Sequence, residues 1–227
     1  TTGRGEIDTR TGAITQADYL PGEQGRWFAA VTSFFALHFG SFGGAPVRWA
    51  YFLLGLAGAF LFYSGDLLWI ESRRRRERKA GAAEQTRATR VLGALTVGVP
   101  LGCVAGISLT IAAAKWLPAE LANLGVWHSR IYYLVFVAAV GWALLRGGAR
   151  GGAELAWFAA AATAAVPFTT LLVVASGSGW SHDGTSRLVD VTAAIGAIGL
   201  ALVARASRRR ARQGPRDSVW SAAPTTA

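Results

Sequence analysis

Apolar residues run through this chain in long stretches, and the charged residues between them are gathered into short blocks. Five stretches, about 47–70, 91–114, 127–145, 154–175 and 188–204, reach or approach the roughly 20 residues a helix needs to cross about 30 Å of hydrocarbon. Helices satisfy their own backbone hydrogen bonds in lipid. The pattern therefore predicts an all-α, polytopic helical membrane bundle of about five transmembrane helices, with the membrane domain over 46–204. Ahead of it, Trp27, Val31, Phe34, Phe35 and His38 recur at spacings of three and four, which predicts a short helix with one aromatic face in 25–45. That helix is too short to span well and is placed at the interface or against the bundle. Residues 1–24 are polar and turn-rich and read as the end of an extracytoplasmic segment. Residues 205–227 read as a basic cytoplasmic tail.

Composition agrees with the pattern. Charged residues make up 16% of the 227, against roughly a quarter in soluble domains. The net charge of +10, carried by 21 Arg and two Lys against 13 acids, would suggest nucleic acid as a partner in a soluble protein. Its placement says otherwise. Segments 71–90, 146–154 and 205–216 carry +5, +1 and +6, whereas 1–48, 115–130 and 176–190 carry 0, +1 and −1. Under the positive-inside rule the first group is cytoplasmic. Five spans with the N-terminus outside and the C-terminus cytoplasmic then fit every arginine block. Topology and contact of "RRRRERK" with anionic membrane lipids explain the basic blocks, so no nucleic-acid role is assigned. The chain contains no Met and begins at Thr1, which reads as a piece of a longer protein with upstream sequence to be expected.

Candidate chemistry is sparse. The single Cys103 excludes an intrachain disulfide and reads as a packing residue. Gly98, Gly102 and Gly106 make a flat ridge suited to close helix approach. Asp66, inside the first span, is expected to meet Arg73 or water rather than to carry protons, and Glu154 suits a helix N-terminus. The three histidines all map to the outer side. They could be ordinary interfacial imidazoles. Alternatively His38 and His128 could hold haem iron axially, with Arg48, Arg130 or Lys115 receiving propionate charge. His182, beside Asp183 in a glycine-rich loop, is a candidate metal ligand only.

The segment 33–76, "SFFALHFGSFGGAPVRWAYFLLGLAGAFLFYSGDLLWIESRRRR", resembles the PepSY-associated transmembrane family of bacterial inner-membrane proteins. The resemblance rests on Leu37, His38, Phe39, Gly40, Gly43, Gly44, Gly55, Ser64, Gly65, Trp69 and the block from Arg73, and residues 6–18 look like the end of the portion that precedes such a segment. It implies a relation to iron-regulated or siderophore-linked membrane proteins, some of which are haem-containing reductases. On that implication the chain carries haem b, moves electrons to an extracytoplasmic ferric chelate, siderophore or similar acceptor, and has His38 as a haem ligand. No histidine falls on the predicted inner side, so a second haem would need another subunit or an unusual ligand. Two other readings stay open: a non-enzymatic scaffold or assembly protein bound to a membrane subunit, and a small-solute transporter component.

Overall fold

The computed structural model describes residues 6–16, 25–40, 42–82, 84–118, 121–177, 184–215 and 218–222. It divides into two compact units, Thr1–Phe62 and Tyr63–Ala227.

The first unit opens with a small hairpin. Strands β1 (Glu6–Ile7) and β2 (Ile14–Gln16) pair antiparallel. The connecting turn is closed locally, because the Asp8 carboxylate accepts from the Arg10 N–H at 2.8 Å and the Asp8 carbonyl accepts from the Gly12 N–H at 2.8 Å. The Arg10 N–H, followed by the Thr11 hydroxyl, holds the Asp8 carboxyl below its ordinary pKa. Helix α1 (Arg26–Phe39) is about 21 Å long by its rise, short of a span. It stops at Gly40, whose left-handed backbone (φ 57°, ψ 34°) returns its N–H to the carbonyls of Ala36 and Leu37. The Tyr51 ring lies against Gly40 and fixes that end on helix α2 (Gly44–Lys79). The helix α1 is exposed along its length, Trp27, Phe34 and Phe39 included.

In the second unit, the rest of α2 is joined by α3 (Arg87–Ala114), α4 (Leu124–Ala175) and α5 (Gly184–Gln213). Among the described residues four helices, α2 to α5, are long and apolar enough to cross a membrane. The 52 residues of α4 would measure about 78 Å if straight, and α4 is bent double. Gly147 holds φ 76° and ψ 166°, a conformation essentially confined to glycine. Across this break Glu154 accepts from Arg146 at 2.6 Å and from the Trp142 indole at 2.8 Å, although Trp142 and Glu154 would be about 18 Å apart on a straight helix. The ladder of contacts to α3 shows the same reversal. Gly98, Gly102 and Gly106 meet Ala143, Ala139 and Tyr132, running antiparallel to the first arm, whereas Val97 meets Gly152 and Ser108 meets Thr163, running parallel to the second. The third and fourth expected spans are thus the two arms of α4. The expected 146–154 loop is instead helix on either side of one glycine.

The core is made of small residues, as suits helices that associate by close packing in lipid. Ala94, Val97, Ala139, Ala143 and Leu155 form one cluster, and Ala105, Ala159 and Ala162 another. The glycine ridge on α3 is spent on this packing. A Cβ at Gly98 would lie 2.8 Å from the Ala143 Cβ, and one at Gly106 2.9 Å from the Tyr132 ring.

The basic segments of this unit converge on one end. Here α2 and α3 are tied by Glu77, which accepts from the Thr86 hydroxyl at 2.7 Å and from Thr89, while Arg73 donates to Thr89 at 3.0 Å. The buried Arg74 donates to the carbonyls of Ala82 (3.3 Å) and Glu84 (2.8 Å). Two arginines of the block therefore close a turn rather than face lipid. The chain returns to the same end after α5. Ser218 Oγ and the Val219 N–H both donate to Glu71, Val219 sits against Gly93, and Trp220 lies against Gly148.

Candidate functional site

At the opposite end of the second unit, α3, the second arm of α4 and α5 are joined by polar groups that the sequence pattern did not bring together. Lys115, capping α3, donates to the Val166 carbonyl and to the Thr170 hydroxyl, and its Nζ is 3.6 Å from Asp190 Oδ1. Thr170 in turn donates to Asp190 at 2.9 Å. The Lys115 and Asp190 side chains are only 7% and 14% exposed. Opposite charges so enclosed hold each other, since either alone would carry a large desolvation cost. This overturns the expectation that Lys115 is free to receive a propionate: its ammonium is engaged by Asp190 and Thr170. Asp66 is also corrected. It does not pair with Arg73 but accepts from the Thr96 hydroxyl at 2.6 Å, leaving Arg73 to Thr89 and Glu77. Asp190 stands at the outer margin of the span expected over 188–204, and its pairing with Lys115 was not expected.

His128 lies in the second turn of α4, one turn before Tyr132 and so on the same face of the helix. Tyr132 packs on Gly106, with its hydroxyl 3.4 Å from the Cys103 sulfur. The position directs His128 toward the C-terminal part of α3 rather than outward. Its Nε2 is buried and has no hydrogen-bond partner among the described residues. Buried imidazole nitrogens are normally bonded. An open Nε2 is also the atom through which neutral imidazole binds iron, so the donor fits an axial haem ligand. Arg130 is exposed at the start of the same arm, its guanidinium 5.0 Å from the centre of the Trp127 ring.

His38 belongs to the first unit. It stands at the C-terminal end of α1, stacked on Phe34 at 5.9 Å and edge-on to Phe39 at 5.0 Å, and it is exposed. Arg48, in the first turns of α2, is exposed as well. His38 with Arg48 and His128 with Arg130 thus fall in different units. His182 and Asp183 lie outside the described residues. Among the described residues, no group of three or more His, Cys, Asp or Glu side chains is placed to hold a metal ion. A haem held by imidazole needs no such cluster.

Among known proteins, residues 7–72 match a family model described as PepSY-associated TM region. The match begins in β1, takes in α1 with His38 and continues along α2 past Asp66. No curated protein and no solved structure matches the chain. The chain is therefore a polytopic helical membrane protein whose residues 7–72 are similar to a PepSY-associated transmembrane region.

Proposed function

We propose that the protein is a haem-carrying electron-transfer component of a bacterial cytoplasmic membrane, with His128 and His38 each as a candidate haem ligand. The observation that carries this reading is the buried Nε2 of His128, which has no hydrogen-bond partner among the described residues. The family match, which includes His38, supports it. Bound haem b would supply a one-electron carrier. In the second unit His128 would offer an imidazole nitrogen and the exposed Arg130 a charge for propionate, and in the first unit His38 and the exposed Arg48 would offer the same pair of groups. With the arginine-rich end cytoplasmic, the His128 end faces outward, where a ferric chelate, a siderophore complex or a similar acceptor would take the electron. Purified protein expressed with ample haem should then contain haem and reduce a ferric chelate when chemically pre-reduced. Haem-free protein under those conditions would defeat the proposal.

A second reading, a scaffold or assembly protein that binds a membrane subunit, is favoured by one observation. A Cβ placed at Gly55 or Gly58 of α2 would have no atom within 4 Å among the described residues, so this small-residue surface is open to another helix. A stable complex with a membrane protein, isolated without any cofactor, would favour that reading over the first.

A further inference from the structure

At the basic end of the second unit, the second arm of α4, the last turns of α5 and the returning C-terminal segment enclose a cleft of about 700 Å³. Three arginines line it: Arg150 from just beyond the Gly147 break, and Arg208 and Arg212 from α5. Its remaining wall is largely apolar, with Ala153 and Ala211 buried and Trp157 partly exposed. The one acid in the wall, Glu154, is already occupied by Arg146 at 2.6 Å and Trp142 at 2.8 Å. None of the three lining arginines has a carboxylate within 4.0 Å among the described residues.

Three guanidinium groups around one cleft repel each other unless an anion joins them. Guanidinium binds phosphate oxygens in bidentate fashion, which a lysine ammonium does not. The cleft's place also matters. It lies where apolar arms give way to the charged helix ends, and Trp157 in its wall has its ring 5.9 Å from the Arg205 guanidinium. A ligand seated there meets both arginines and apolar surface. We propose that the cleft binds the phosphodiester headgroup of an anionic phospholipid. This assignment does not depend on the haem reading, since the cleft shares no residue with the histidine end.

The test uses the full chain in vesicles and native mass spectrometry. Protein exchanged into phosphatidylglycerol vesicles should retain bound phosphatidylglycerol, and protein in phosphatidylcholine vesicles should retain little lipid. The R150Q/R208Q/R212Q variant should hold phosphatidylglycerol roughly 10–100-fold more weakly. A control with equal charge loss at the same end but outside both the cleft and the 73–79 block, R87Q/R90Q/R209Q, should hold it as the unaltered protein does. The single variants R150Q and R212Q, each with a partial loss, keep the test decisive if the triple variant does not fold. Equal weakening in cleft and control variants would overturn the site in favour of diffuse charge. Competition by inorganic phosphate at millimolar concentration, with no preference for the lipid, would overturn the lipid assignment in favour of a free anion.

Discussion

Helices α2 and α3 both carry spaced glycines in apolar sequence, and those glycines meet opposite surroundings. On α3, a Cβ at Gly98, Gly102 or Gly106 would press within 2.8–3.1 Å of residues on α4. On α2, Gly55, Gly58 and Gly65 would place a Cβ in open space. Lipid gives helices no hydrophobic reason to associate, so small residues matter only where another helix uses the room they leave. Thus α3 is the packed centre of the second unit, whereas the apolar face of α2 around Phe60, Leu61 and Phe62 remains exposed. Glycine spacing reports a capacity for close packing, and only the partner helix shows whether it is used.

The largest effect should come from the buried pair of the packed unit. Lys115→Ala leaves Asp190 enclosed without its cation and should cost about 3–5 kcal/mol, read as a lower unfolding temperature in detergent. Replacing both residues with apolar side chains should recover most of that loss. The glycine contrast itself can be broken next. Gly98→Ala should destabilise by about 1–3 kcal/mol through overpacking against Ala143 and Val140. Gly58→Ala should be neutral or stabilise by up to about 1 kcal/mol, because alanine is the better helix former. Equal effects at the two sites would erase the distinction between the helices.

Smaller effects are expected at the margins. Ser218→Ala removes one of two donors to Glu71 and should cost about 0.5–1.5 kcal/mol, seen as faster proteolysis of the C-terminal segment with α5 left intact. In the hairpin, the Arg10 amide resonance should follow the titration of Asp8. The folded carboxyl titrates below its unfolded value, so its contribution to the turn is full above the unfolded pKa and fades as pH falls through the lowered one. An Arg10 amide insensitive to acid would show that this bond is not formed in solution.

Much of the architecture was readable along the chain because it rests on local pattern. The apolar runs locate the spans, the glycine ridge its packing face, and the arginine blocks one common end. What the pattern missed depends on partners far apart in sequence. Lys115 and Asp190 are 75 positions apart, at the margins of two different spans that no local spacing links. Asp66 finds Thr96 rather than the nearer Arg73 because helical geometry places Thr96 opposite it. The reversal at Gly147 looked like a loop since two arginines flank it, and periodicity does not reveal that helix continues on both sides. His128 stood out by type and depth, but the burial of its unpartnered nitrogen is a tertiary fact. A lysine at the end without arginine blocks was the one available hint of a buried acid nearby.

The claim that His128 is a cofactor ligand is tested most directly by a reduced-minus-oxidised absorption spectrum of membranes containing the protein, beside those with His128→Ala. The account predicts a b-type haem difference spectrum in the first and its loss in the second, with protein present at equal level. An unchanged haem spectrum in the His128→Ala membranes would contradict it.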